Sequence, residues 1–563
     1  MHGRRTCARI VIGAPSCVLM RVTAHAARGA RCAVRGAWCV VRDGRSVVVA
    51  VCSTAPRRAE CFTSTFPMLS LRRFCSVRAR AVNLSGLAAI VALAAGATAC
   101  GSSNGDAAGT VADGGPGLTD GGADPGDSAG AQPDADAGPP PVCDPADFGA
   151  KHDGTTKDTA ALQAAIDACA GKGGTVHLHD GSYLTGMLRL KSDLVIHIDS
   201  TAQILGTQDD ADYPTQSPPV DNTQLKNCRK SLLYAESVQN LRLEGSGTIN
   251  GNGNSPKWIG PSTLHPEATR PMAFFAVKSK NISIKDITLS HAAMWGLVNM
   301  EVDGLTIDNV TVDSLYSGNR DGIDVVDCHH VVIKDSTIAS EDDSICIKSG
   351  SRYGVEDVVV KNCKVKSLIA NALKFGTASY GSFKNVTFDG VTVESADKAA
   401  MAVESVDGAD ISNITFRNIN FKDVGSPIFI ILGDRGETPK TDVHKIGTID
   451  GIHFENVTGD TMRYHWASPI SGLAKNGTTY TLRNLTFTNV KITNKGGMTG
   501  VPGDPPEYAG QYPDPNLWGN MPAYGLFIRH ADGVTLTNSN PLVAPGDGRQ
   551  GIVQRDVTNF TTN

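Results

Sequence analysis

NISIKDITL (281–289), GLTIDNVTV (304–312), VVIKDSTI (331–338) and VVVKNCKV (358–365) share one pattern, a β-branched run interrupted by an Asn or Asp. The pattern continues as FKNVTFDGVTV (383–393), ISNITFRNINF (411–421), IHFENVTG (452–459) and LRNLTFTNVKI (482–492). Its central polar residues are Asp286, Asn309, Asp335, Asn362, Asp389, Asn418, Asn456 and Asn489, at successive spacings of 23, 26, 27, 27, 29, 38 and 33 residues. A period near 27 is too short for a domain repeat. It is the length of one coil of a parallel β-helix, built from strands of four to six residues with tight polar turns. Stacked Asn side chains would hydrogen-bond along such turns, so these residues read as structural.

A second set of strands fixes which side chains face out. DGIDVVD (321–327), DDSICIKSG (342–350), NALKFGT (371–377) and AAMAVES (399–405) align with Ile323, Ile345, Leu373 and Met401 in one inward column. Val325, Ile347, Phe375 and Val403 form the next. Alternation then turns Asp324, Cys346, Lys374 and Ala402 outward in one column, and Val326, Lys348, Gly376 and Glu404 in another. Neighbouring coils lie about 4.8 Å apart, so an outward column is a row of groups within reach of one bound chain.

Working outward, the composition changes along the chain. Lys+Arg total 52 against 57 Asp+Glu, and a net charge of −5 excludes a broad basic field for nucleic acid. A hydrophobic content of 41% excludes disorder throughout. Residues 1–83 hold Arg but no Lys and show neither helical nor strand period. Residues 1–67 read as an upstream extension, with Met68 as the better start. Arg72, Arg73, Arg78 and Arg80 precede an apolar run from Leu84 to Ala99 and then Cys100, so 68–100 has the layout of a lipoprotein-type signal with Cys100 acylated. Ala97 stands where such signals usually carry Leu, which keeps ordinary signal cleavage as the alternative. Residues 101–142 are mostly Gly, Ala, Asp and Pro with almost nothing large and apolar, too little to offset their ordering entropy, and read as a linker. The folded domain is expected at 143–563, exported as an outer-membrane lipoprotein or to the medium, and monomeric.

At its start, Ala160, Leu162, Ala165, Ile166 and Cys169 have helical spacing, as expected of a short helix capping the solenoid's open end. Cys143 and Cys169 could pair in an exported protein. His177 and His179 alternate on a strand, but no third ligand is in view, and no metal or other cofactor is assigned.

Three acids stand at the ends of neighbouring strands: Asp321 in NRDGID, and Asp342 with Asp343 in SEDDSICIKSG, 21 residues from Asp321 to Asp342. Carboxylates on adjacent coils repel, which raises at least one pKa and can leave one acid protonated. Glycoside hydrolysis requires that pairing, one protonated acid and one carboxylate. Rim acids could equally hold Ca²⁺ or be merely solvated. Here the domain resembles glycoside hydrolase family 28, the polygalacturonases and their relatives, from DFGAKHDG onward. In that family Asn-Thr-Asp is followed one coil later by Asp-Asp, then by Gly-His-Gly and Arg-Ile-Lys. This chain has Asn319-Arg320-Asp321 and Asp342-Asp343. The resemblance implies an all-β, single-stranded right-handed parallel β-helix. It also implies Asp342 as general acid, Asp321 and Asp343 holding the attacking water, and Asn319 and Asp324 as supporting members on a polysaccharide substrate.

The second half of the pattern departs. Ala370-Asn371-Ala372 replaces Gly-His-Gly, and Ala402-Val403-Glu404 replaces Arg-Ile-Lys, the pair that grips a uronate carboxylate in that family. Asn371, Lys348, Lys374 and Glu404 are therefore the candidate substrate contacts, with Lys374 supplying the missing charge one coil early. The alternative for Lys374 and Glu404 is a surface ion pair. An inverting hydrolase of pectin-type polysaccharide, a polysaccharide lyase on the same fold and a non-catalytic glycan-binding protein all remain open from the sequence.

Overall fold

The computed structural model describes residues 138–259, 267–316, 318–437, 443–461, 463–543 and 546–563, and the backbones of three N-terminal strands. Those strands, Trp38–Asp43, Ser46–Cys52 and Cys61–Pro67, form an antiparallel sheet of their own. This corrects the reading of that segment as patternless: SVVVAVC (46–52) is a β-branched run of strand length. The expected signal segment 68–100, its Cys100 and most of the expected linker 101–142 lie outside the described residues.

The rest is a right-handed parallel β-helix. Coils are built from up to three strands that pair in parallel with their counterparts one coil on, and a small antiparallel pair, Leu473–Lys475 with Thr478–Tyr480, stands apart from that sheet. Ile323–Val326 pairs with Ile345–Lys348, His329–Lys334 with Val355–Lys361, and Thr337–Ser340 with Lys364–Ser367. The register is the one expected from alternation: Ile323 opposite Ile345, Ile345 opposite Leu373, and Leu373 opposite Met401. Inside, residues repeat at the coil spacing and stack. The rings of Phe388, Phe416, Phe454 and Phe487 are nearly parallel and stacked, with centroids 5.0, 5.3 and 5.1 Å apart, so one aromatic column runs through four coils.

The polar turns have the predicted role. Asn309 donates to Asp286, Asn362 to Asp335, Asn418 to Asp389, Asn456 to Asn418, and Asn489 to Asn456. Most of these residues sit at φ near +50 to +60, the left-handed region that Asn and Asp tolerate. Asp389 is the exception: Gly390, at φ +69, takes the left-handed position there.

The capping helix spans Thr159–Cys169 and buries Ala161, Leu162, Ala165, Ile166 and Cys169. Ala160 is exposed, one position away from the expected stripe. Cys143 and Cys169 are bonded, tying the helix's last turn to the first short strand, Val142–Cys143.

Candidate active site

The acids converge because the register continues past the strand ends. The Gly296 N–H donates to the Asp321 carbonyl, Gly322 to Asp343, Ser344 to Asn371 and Ala372 to Ala399. Trp295, Asp321, Asp343, Asn371 and Ala399 therefore stand in one column, one coil apart. Asp342 immediately precedes that column, and Asp324 lies three residues beyond Asp321.

Two lysines from the outward columns each reach back one coil. The Lys348 ammonium bonds Asp321 Oδ2 at 2.8 Å and also Asp324 Oδ1, and stands 3.9 Å from the Trp295 ring centroid. The Lys374 ammonium bonds Asp343 Oδ2 at 2.9 Å. The other Asp343 oxygen accepts from both the backbone N–H and the side-chain amide of Asn371, each at 3.0 Å. Asn371 Oδ1 in turn accepts from Ala399 N–H.

These partners separate two adjacent carboxyls. Among the described residues Asp342 forms no ion pair, and its Oδ1 accepts the Asp343 N–H. Burial, then the charges of Asp321 and Asp343, push it well above the usual carboxylate range. Burial alone would raise Asp343 too, but Lys374 and then Lys348 outweigh it and hold Asp343 below that range. Asp321 and Asp324 share the single charge of Lys348; burial raises both, with Lys348 opposing.

The sequence-predicted residues thus fall into two groups. Asn319, Asp321, Asp342, Asp343, Lys348 and Lys374 line one cleft of about 210 Å³. Asp324, Asn371 and Glu404 are buried behind it, so their contacts are to its walls and not to a molecule within it. Glu404 lies 3.8 Å from the Lys374 ammonium with both carboxylate oxygens lacking hydrogen bonds, and burial pushes it up to about 8. Lys374 and Glu404 are both buried, which removes the surface-pair reading. Arg320 points away from the cleft and donates to the carbonyls of Ala292 and Gly253.

Several cleft residues were missed. Trp295 could have been found by extending the column back one coil. Tyr512, Arg435, Gln224 and Lys226 come from distant loops and carry no local signal. The Tyr512 hydroxyl receives a hydrogen bond from Lys374 at 3.2 Å. Lys226 and Glu437 form an ion pair at 2.9 Å that joins two of these loops.

The sequence profile of glycosyl hydrolases family 28 matches residues 173–502. An exo-poly-alpha-D-galacturonosidase of Dickeya chrysanthemi is 26% identical over 258 residues, 38% of this chain and 42% of that protein. This chain therefore spans less than half the length of that relative. Endo-xylogalacturonan hydrolase A of Aspergillus tubingensis is 26% identical over 295 residues, 50% of this chain and 67% of its own. Among solved structures, the family 28 exopolygalacturonase of Yersinia enterocolitica matches with a TM-score of 0.61 at 18% identity, covering 75% of this chain and 78% of that one. At that identity the likeness is one of fold.

Proposed function

The chain belongs to glycosyl hydrolases family 28, and from that premise we propose that it cleaves glycosidic bonds of a pectin-type polysaccharide with inversion. The observation that carries the mechanism is the split between Asp342 and Asp343. Asp342, kept protonated by burial and two neighbouring acids, gives its proton to the leaving glycosidic oxygen. Asp343, kept ionised by Lys374, takes a proton from a water that attacks the anomeric carbon from the opposite face. Asp321 orients that water from the neighbouring coil. The products are a free alcohol and a hemiacetal of inverted configuration, and solvent exchange resets both carboxyls.

In this reading Asn371 does not touch substrate. It holds Asp343 from two directions, in the place where a His stands in the resembling motif. Trp295 offers an apolar edge beside Asp321 for a sugar ring. We also propose export: the Cys143–Cys169 disulfide suits an oxidising compartment, in keeping with the signal-like segment at 68–100.

The test is a reducing-sugar assay on polygalacturonate, xylogalacturonan and neutral plant polysaccharides, with the anomer of the first product followed by NMR. Inverted product from a galacturonate-containing polymer supports the proposal. Unsaturated, ultraviolet-absorbing product means a lyase, and binding without turnover on every polymer means a glycan-binding protein.

A further inference from the structure

His177 and His179 showed no third ligand in the sequence because the missing partners lie on the next coil. His177 stands directly opposite His197 in the parallel pairing of Gly174–Leu178 with Leu194–Ile198. Asp199, just beyond that second strand, faces all three rings. Its Oδ1 is 3.1 Å from His177 Nε2 and 3.2 Å from His197 Nε2, and its Oδ2 is 3.8 Å from His179 Nδ1. The ring centroids of His177 and His179 are 3.9 Å apart, those of His177 and His197 5.0 Å.

We propose that His177, His179, His197 and Asp199 bind a divalent transition-metal ion of the zinc class. Three imidazoles and one carboxylate are donors that such ions favour. Zinc–ligand bonds of about 2.0–2.1 Å place tetrahedral ligand atoms about 3.3 Å apart; Asp199 Oδ1 stands near that distance from His177 and His197, and His179 approaches the other oxygen at 3.8 Å. Ligand atoms of His177, His179 and Asp199 already lie within 4.8 Å of one another, His197 must turn in to complete the set, and the exposure of the cluster leaves an entry path.

The outer contacts support the same assignment. A metal-bound imidazole usually has its second nitrogen held by a carboxylate, which fixes its ring. His179 turns Nδ1 toward Asp199 and has Nε2 3.4 Å from Asp144 Oδ2. His197 turns Nε2 toward Asp199 and has Nδ1 3.7 Å from Glu244 Oε1. Two of the three rings thus have a carboxylate near the nitrogen that faces away from Asp199. Because Asp144 adjoins the disulfide-bonded Cys143, the ion fastens the first coils to the capped end, far in sequence from the acids of the cleft.

The experiment uses the full chain without a histidine tag, stripped with EDTA and titrated with Zn²⁺ at pH 7.5 by calorimetry. The parent should bind one equivalent with a Kd of about 10 μM or tighter that is missing from a His177→Ala/His197→Ala variant and weakened at least tenfold by Asp199→Asn. Co²⁺ in the parent should give the intense visible bands of a four-coordinate site. Zn²⁺ should raise the Tm of the parent and leave that of the double variant unchanged. Equal stoichiometry and affinity in parent and Asp199→Asn, or no binding tighter than about 100 μM in the parent, overturns the proposal. Asp199→Asn keeps all three imidazoles, so its result stands even if the double variant folds poorly.

Discussion

Replacing Lys374 with Met removes the cation that separates the two central carboxyls. In the folded protein the Lys374 side chain is 5% exposed, 2.9 Å from Asp343 and 3.8 Å from Glu404. Its loss leaves Asp343 with the Asn371 donors, the weak Cys346 thiol and the more distant charge of Lys348, and Glu404 with only the weaker pull of Lys398. Breaking a buried pair by removing one partner costs about 3–5 kcal/mol. Proton uptake by Asp343 recovers part of that cost, and the same uptake disables the base. Each pKa unit by which Asp343 rises above the assay pH removes about tenfold of its ionised form, or 1.36 kcal/mol. We expect Lys374→Met to lower Tm clearly and kcat at pH 5 by at least about tenfold, with KM changed little. The sign in pH follows from the depressed Asp343. In the parent the acidic limb lies below the ordinary carboxylate range; in the variant it moves to higher pH, so activity is lost first on the acid side. Lys374→Arg should restore part of kcat. Initial rates on a galacturonate polymer from pH 3 to 8, with calorimetric Tm, read all of this. A rise in KM at constant kcat, with an unmoved acidic limb, would refute the reasoning and make Lys374 a substrate contact.

Asp342→Asn should lower turnover by at least about 10²–10⁴-fold while circular dichroism and Tm stay near the parent, since among the described residues its side chain bonds only the next N–H. Glu404→Gln should stabilise the protein most at alkaline pH: with a folded pKa of about 8, wild-type stability falls as pH rises from the unfolded value of 4.5 to 8, and the variant's melting curve should lack that decline. Cys100→Ala should shift the protein from membrane to soluble fractions on cell fractionation; a parent that is already soluble argues for plain signal cleavage. Attack should begin at chain ends, because the cleft of about 210 Å³ is small beside the about 300–1,000 Å³ of typical ligand sites and is walled by distant loops. Viscosity of a polygalacturonate solution should therefore lag behind reducing-end release, and a rapid early fall in viscosity contradicts terminal attack.

The solenoid was legible because its constraint is local. A β-branched run, an Asn able to take positive φ, and a period near 27 recur within one coil, and the register columns follow by counting. The same counting brought Asp321 and Asp343 together and gave Lys374 its place before Ala402. It failed where an outward direction was taken to mean exposure. Glu404 points outward by alternation yet is fully buried, because material from another part of the chain covers that face. Tyr512 lies 138 residues from the Lys374 it touches, and no periodicity links the two. The histidine pair failed for the opposite reason: its partners were one coil away, at positions the register could have supplied.

That cover gives a physical reason for the small apolar residue at Ala402 and the shielded carboxyl of Glu404. Ala402 pairs in register with Phe429, and both belong to an apolar cluster with Val406, Ile431, Trp518 and Met521 on the outside of the coil. Trp518 ends the short helix Pro515–Trp518 and meets Phe429 edge-on, with centroids 6.4 Å apart. A guanidinium at position 402 would be buried against this cluster without a partner, so a small apolar residue belongs with the covering segment. Two residues on, Glu404 occupies the same shielded face, where a carboxyl with a pKa near 8 is largely neutral and adds little repulsion toward a bound uronate. Tyr512, from the same segment, lies over the Lys374 ammonium at 5.5 Å from its ring centroid, with Lys398 at 5.8 Å and Arg435 at 5.5 Å. Arg435 and Lys374 both line the cleft. Lys374 and Arg435 thus stand at like distances from one tyrosine ring, each paired with its own carboxylate, Asp343 and Asp407.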